Sequence, residues 1–269
     1  MTTTVKTFAP GYERVENGWI KFPSDVKLRK SLFNQEVFDH PAKANLYLLQ
    51  SIVEYVSEEG ETILEPFGGT GSILIATQMG RKVVMVELEP YFQELIKDGI
   101  DRFQAGETAK VVGGDCRLVL PLFCHHAIFS PPYGNVLSQT GLKKGRNFKS
   151  GEEGSLQKQF GAYSGSSANG LNIGRLSDFY YVNAMEEVYK RLFMSIPTGG
   201  TMTVLTKDHM GADKKRVMLG ADCIRMAGKA GFRLKDWFKW KAPGAVTQKI
   251  AIAKGAEAVL DEDIIIFSK

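Results

Sequence analysis

The stretch TILEPFGGTGSILIATQMGRKVVMVELEP, residues 62–90, decides the fold. TILEPF (62–67) is a short apolar run of buried-strand type that ends in FGGTGS. SILIATQMG (72–80) has helical character and stops at Gly80, and KVVMVEL (82–88) is a second strand with an acid near its tip. Strand, glycine turn, helix and strand in so short a span make a βαβ unit, whose strands lie parallel.

The alternation continues on both sides. Upstream, Leu48, Leu49, Ile52, Val53 and Val56 mark one apolar helix face, with Asp39 and Pro41 as start signals. Downstream, 90–104 is amphipathic, AKVVGGD (109–115) is a strand and turn, and HHAIFS (125–130) is a strand ending in PPYG. Residues 178–196 place Tyr181, Met185, Val188, Leu192 and Ile196 on one helix face. TMTVLT (201–206) reads as a strand, 213–230 as a helix, 232–240 as a strand and IIIF (264–267) as a closing strand. The expected class is an open α/β sheet.

Residues 1–38 are polar and mixed, with Lys27, Arg29 and Lys30 in a basic run, and read as an N-terminal arm. Residues 39–269 read as one domain, interrupted at 138–177 by a Gly/Ser-rich insertion. That insertion carries Lys143, Lys144, Arg146, Lys149, Lys158 and Arg175 against Glu152 and Glu153. A solvated loop is the plain reading, and a basic loop that orders on a polyanion is the sharper one. Its place straight after the PPY turn favours the second.

Composition excludes several classes. Of 269 residues 43% are apolar and 24% charged, and the formal net charge is only +4. Disorder, collagen and coiled coil are therefore excluded as the main architecture. Cys116, Cys124 and Cys223 have no CxxC spacing, so neither a zinc knuckle nor a disulfide framework is expected. That cysteine usage suits a reducing compartment. No apolar run reaches the length of a membrane span and the first residues lack a signal-peptide core, so a cytoplasmic protein with no membrane partner is expected.

Four motifs carry chemistry. In EPFGGTGS (65–72), Gly68, Gly69 and Gly71 let the backbone turn and approach a ligand where a strand delivers Glu65. The pattern is neither GxGxxG nor a Walker loop, which disfavours nicotinamide dinucleotides and nucleoside triphosphates. A tight βα turn is the plain alternative. Glu87, ending the next strand, suits two ribose hydroxyls, with Glu89 as local competitor and a solvated cap as the alternative. Asp115, in GGDCR (113–117), is placed either to accept from an exocyclic amine or to cap a helix. SPPY (130–133) is the strongest signal. Pro131 and Pro132 restrict the turn and remove two N–H donors, leaving Ser130 and main-chain carbonyls as acceptors, and Tyr133 adds a flat face. A planar base whose NH2 is gripped by acceptors fits such a corner.

In this order, HPAK (40–43), EPFGGTGS, Glu87, Asp115 and SPPY resemble the S-adenosylmethionine-dependent DNA amino-methyltransferases, which methylate cytosine N4 or adenine N6. The resemblance covers 38–135 well and 178–240 more loosely; 1–38 and 138–177 lie outside it. It implies a Rossmann-like methyltransferase fold: a mostly parallel seven-stranded sheet, helices on both faces, and an antiparallel last strand. It implies S-adenosylmethionine as cofactor and no metal. His40 and Lys43 would border the cofactor's methionine end, and Glu65, Pro66, Phe67, Gly68, Gly69, Thr70 and Gly71 would wrap it. Glu87 and Leu88 would meet the ribose, Asp115 and Cys116 the adenine, and Ser130, Pro131, Pro132 and Tyr133 would form the base pocket. The family's first motif usually begins with Asp, whereas this chain has the longer Glu65.

The partner implied is double-stranded DNA, with the target base flipped out. Lys143, Lys144, Arg146, Lys149, Lys207, Lys214 and Lys215 are the candidate phosphate contacts. Ser130 at the head of the turn points to cytosine N4, with adenine N6 as the alternative and an RNA base or protein glutamine behind both. C5 methylation is excluded because no proline precedes any cysteine. A non-catalytic nucleic-acid-binding module would keep the basic surface without needing Glu87 or SPPY. The family often carries a sizeable target-recognition domain, whereas this chain has only the 138–177 loop and the tail, so recognition is expected to be short, loose or shared with a partner, or with a second copy of the chain. A prokaryotic or phage setting follows from the same resemblance.

Overall fold

In the computed structural model the described residues are 6–15, 17–39, 43–132, 171–210, 216–242 and 258–269. The chain opens with two short strands, β1 (Glu13–Arg14) and β2 (Ile20–Lys21), and helices α1 (Val26–Leu32) and α2 (Gln35–Asp39). Helix α3 (Leu46–Val56) follows. It starts at Asn45, whose side chain accepts from the amides of Tyr47 and Leu48, rather than at Asp39 or Pro41. Asp39 instead ends α2.

The βαβ unit is then β3 (Thr62–Glu65), a 3-10 helix (Ser72–Met79) and β4 (Lys82–Glu87). The helix expected at 72–80 is thus the tighter 3-10 form, closed by Leu74 N–H to Gly71 C=O and stopped by left-handed Gly80. Helix α4 (Pro90–Arg102), with Pro90 in its first turn, leads to β5 (Ala109–Gly113). A short α5 (Cys116–Val119), β6 (His126–Phe129), α6 (Asp178–Ser195) and β7 (Thr201–Thr206) come next. A small hairpin, β8 (His209–Met210) with β9 (Arg216–Val217), occupies part of the span expected to be helical from 213. Helix α7 (Leu219–Ala230), β10 (Arg233–Lys241) and β11 (Asp261–Ser268) complete the chain.

The main sheet has nine strands in the order β1-β2-β10-β11-β7-β6-β3-β4-β5. Its seven inner strands match the expectation: β5, β4, β3, β6 and β7 are mutually parallel, and β11 runs antiparallel between β7 and β10. The two extra strands come from the segment read as an arm. Ile20 of β2 pairs with Trp240 of β10, and Phe8 stacks on Phe238 at 4.5 Å. Phe8, Ile20, Phe22, Phe33 and Val37 are all buried in the core that also holds Ile52 and Ile73. Burying each such side chain stabilises by about 1.5–3 kcal/mol, so this segment is integral to the fold. A second core, on the other sheet face, joins Phe129, Met185, Val188, Tyr189 and Leu192.

Candidate active site

The strand order reverses between β3 and β6, and open α/β sheets bind ligands outside their strand C-termini at such a point. Register sets what stands there. Glu65 pairs with Met85 and Glu87 with Gly113, while Leu64 pairs with Ala127 one strand over. The ends of β3, β4, β5 and β6 therefore share one rim, carrying Glu65, Glu87, Asp115 and Ser130.

The glycine turn is held close to β4. Gly68 donates to the Val86 carbonyl at 2.8 Å. A Cβ on Gly68 would lie 2.9 Å from Ile96 Cδ1 and 3.3 Å from Met85 Cβ, so a side chain there would push Ile96 aside and crowd β4. Gly71 has φ 77°, the left-handed conformation that an L side chain rarely adopts, and it launches the 3-10 helix. Pro66 and Thr70 are buried, and Phe67 packs on Phe129 with ring centroids 5.7 Å apart.

Two carboxylates meet beside this turn. Glu87 is 8% exposed and accepts from the amides of Gly69 (2.6 Å) and Glu89 (2.9 Å). Burial pushes its pKa up to about 7, against the pull of those amides. Glu65 is pushed well above the ordinary carboxylate range by burial and by the nearby Glu87 charge. Among the described residues its Oε2, which is buried, finds no hydrogen-bond partner. A buried acceptor left open costs free energy unless a ligand satisfies it. The pair suits a ligand that brings positive charge and hydroxyl donors.

Asp115 and Cys116 stand differently. Asp115 caps α5 by accepting from Arg117 N–H at 2.9 Å, and its other oxygen takes the Arg117 guanidinium at 2.6 Å. Both oxygens are engaged, so the capping alternative describes it, and any contact with a ligand amine would share an occupied acceptor. Cys116 is buried with its thiol pushed up to about 12, chiefly by desolvation, and packs as a core residue.

Ser130 is exposed on the rim immediately after β6, with Pro131 buried and Pro132 half-buried behind it. Leu88 is half-buried beside Glu87. Lys43 lies over the Phe38 ring, 5.4 Å from its centroid. Lys207 forms an ion pair with Glu262 at 3.4 Å, which takes charge away from the phosphate contact expected of it. His40, Tyr133, Lys143, Lys144, Arg146, Lys149, Lys214 and Lys215 lie outside the described residues, as does most of the 138–177 insertion.

Three further features bear on the site, of which the sequence singles out only Glu89, as a competitor of Glu87. Glu89 is buried and its pKa raised by desolvation, with Asn172 and Arg175 pulling against it. Arg29 is buried against Ser72. Phe179 and Tyr180, at the start of α6, are 71% and 63% exposed with rings 5.5 Å apart. Of the other two, only the aromatic pair leaves a local trace, a Phe-Tyr-Tyr run that opens a helix otherwise read by its buried face. Among the described residues no group of His, Cys, Asp and Glu is arranged to hold a metal, and no helix is long and apolar enough to cross a membrane.

Residues 6–98 match the family model for N6/N4-type methyltransferases, described as DNA methylase. The match takes in the segment read as an arm, the glycine turn and Glu87, and ends before Asp115 and Ser130. A methyltransferase from Pyrococcus furiosus superposes with TM-score 0.53 at 14% identity, over 91% of this chain and 94% of its own. Precorrin 8w decarboxylase from Methanobacterium thermoautotrophicum gives TM-score 0.52 at 12% identity, over 92% and 100%. These likenesses establish the Rossmann-like methyltransferase fold. No curated protein matches the chain significantly.

Proposed function

We propose that the chain is an S-adenosylmethionine-dependent methyltransferase acting on the exocyclic amine of a base in double-stranded DNA, with cytosine N4 as the target. The observation that carries this reading is the unpartnered, buried Glu65 Oε2 beside the glycine turn, one strand away from exposed Ser130. The DNA methylase match over the same turn supports it. When bound, the cofactor supplies a methyl group on a sulfonium, an electrophile that needs neither metal nor protein nucleophile.

The chain's own residues then have defined tasks. Residues 65–71 wrap the cofactor's methionine end, with Glu65 as a carboxylate acceptor for its positive charge. Glu87 accepts from the ribose hydroxyls with the lone pairs left over while Oε2 keeps the Gly69 amide and Oε1 the Glu89 amide in place. Ser130 Oγ and the Pro131 carbonyl hold the target amine's hydrogens. That grip favours a pyramidal nitrogen and stabilises the positive charge that develops there. Tyr133 stacks on the flipped base. Phe179 and Tyr180 open the helix that packs on the end of β6, and we place them beside Ser130 on that ground. Tyr189 touches Phe129, the last residue of β6, and the helix rises about 1.5 Å per residue from there toward its start. This aromatic pair suits stacking against bases next to the target.

The test is direct. The protein is incubated with labelled cofactor and unmethylated DNA, the DNA is digested to nucleosides, and the labelled base is identified by mass and retention. N4-methylcytosine is the expected product. N6-methyladenine would move the target to adenine, and label appearing only in RNA or protein would overturn the DNA assignment. Tyr133→Ala is expected to abolish transfer while leaving cofactor affinity unchanged.

A further inference from the structure

We propose that Arg29, in the segment that reads as an arm, is a positioning residue that seats the glycine turn against the start of α3, so that cofactor affinity depends on it. The inference rests on the reading that residues 65–71 hold the cofactor.

Arg29 is 1% exposed and uses its guanidinium on three segments at once. Nη1 donates to Ser72 Oγ at 2.8 Å. Nη2 donates to the Ala44 carbonyl at 2.5 Å and to Asp25 Oδ2 at 2.8 Å. Nε donates to the same Asp25 oxygen at 3.1 Å. Asp25 Oδ2 also accepts from the Leu46 amide at 3.1 Å, and Asn45 donates to the Pro23 carbonyl at 2.9 Å. Ser72 is the residue immediately after left-handed Gly71, and Ala44 and Leu46 flank the cap of α3. One buried cation thus joins α1, the exit of the glycine turn and the connection that follows His40–Lys43.

Energetics argue that geometry is what this charge provides. Taking a guanidinium out of water costs several kcal/mol, and an ion pair such as Arg29–Asp25 offsets that cost without clear net gain over apolar packing. Desolvation lowers the Arg29 pKa while Asp25 holds it up. A Leu or Met would fill the site more cheaply but would have no directional bond to Ser72 or Ala44. The planar fork fixes both acceptors relative to each other, which a lysine's point charge does not. A turn held flat on β4 by Gly68 on one side and by Arg29 through Ser72 on the other has little freedom to move its amides.

The experiment measures S-adenosylmethionine dissociation constants by equilibrium titration, together with ligand-free thermal unfolding, for the full chain and for Ser72→Ala, Arg29→Lys and Arg29→Met. Ser72→Ala removes only the bond to the turn. It is expected to weaken cofactor binding five- to tenfold with a melting temperature close to that of the parent. Arg29→Met is expected to weaken binding more than tenfold, and Arg29→Lys to restore part of that loss. In turnover assays the cofactor KM should rise while kcat at saturation holds. If Ser72→Ala and Arg29→Lys are folded and bind the cofactor as the parent does, Arg29 is a fold residue only and the inference is wrong. If Arg29→Met does not fold, the Ser72→Ala titration decides. If the parent itself does not bind the cofactor, the reading of the glycine turn falls first and the inference falls with it.

Discussion

The rim formed by the strand C-termini has two halves that treat buried charge in opposite ways. On the β7–β11–β10 side, Asp208, Asp261, Glu262 and Asp263 each have a donor. Asp208 takes Arg216 at 2.8 Å, and Asp261 takes Arg216 at 3.2 Å as well as Lys239. Asp263 takes Lys239 at 2.7 Å and the Trp237 indole at 2.8 Å. Glu262 takes Lys207 and the Trp240 indole. On the β3–β4 side, Glu65 and Glu87 sit together, and among the described residues no cation pairs with either and Glu65 Oε2 accepts no hydrogen bond. The same edge of one sheet is therefore a closed polar network in one half and an open one in the other.

The largest expected effect breaks the closed half. Asp261→Asn removes the charge shared by Arg216 and Lys239, and should cost about 3 kcal/mol in denaturant unfolding, the low end for a buried pair because both cations reach solvent. Cofactor affinity should not change. Glu65→Gln tests the open half in the opposite sense. It should raise the S-adenosylmethionine dissociation constant about tenfold or more, the value of about 1.5–3 kcal/mol for a charged hydrogen bond. Ligand-free stability should hold or rise, because a buried, unpaired acid is gone.

The pH response sharpens the comparison further. Glu87 faces Glu65, Glu89 and the amides of Gly69 and Glu89, with Arg175 beyond Glu89. Its pKa is raised to about 7, so the folded, ligand-free protein holds more protons than the unfolded chain between about 4.5 and 7. Ligand-free stability should therefore fall as pH rises through that window. Cofactor binding favours the ionised carboxylates, so affinity should strengthen as pH rises through that window, and ionisation of Glu65, whose pKa is also raised, should add to the rise. Glu87→Gln should bind weakly and lose its own share of this slope in titrations from pH 5.5 to 8.5. The smallest effect belongs to the rim outside the cofactor site. Phe179→Ala and Tyr180→Ala should each weaken DNA binding about fivefold in anisotropy titrations, near the low end for one base stack, and leave cofactor binding intact.

The central strands are legible because TILE, KVVMVE, HAIF and IIIF are short, apolar-rich runs with turn residues or acids close by. Thr201–Thr206 is buried along its whole length. The first segment was not legible because Phe8, Ile20, Phe22, Phe33 and Val37 follow no single period, and β1 and β2 have two residues each. The start of α3 was misplaced for a similar reason. Asp39 and Pro41 are the commoner signals, but the amides of Tyr47 and Leu48 find Asn45.

In the site, the glycine turn and Glu87 could be read directly, since turn chemistry and strand tips are local. Asp115 carried an ambiguity that Arg117, two residues on, resolves by closing over it. Lys207 read as a free basic rim residue because Glu262, its partner, is 55 residues away in sequence. Arg29 was hidden in the same way: its link to Ser72 spans 43 residues, and a lone arginine in a basic run looks solvated.

Where the cofactor sits is the most direct test of the open half of the rim. A crystal structure of the chain with S-adenosylhomocysteine should place the ligand against residues 65–71, with its ribose at Glu87 and its amino acid end toward Glu65. A ligand seated on the Asp208–Asp261–Asp263 side, or a Glu65 Oε2 still without a partner in the complex, would contradict it.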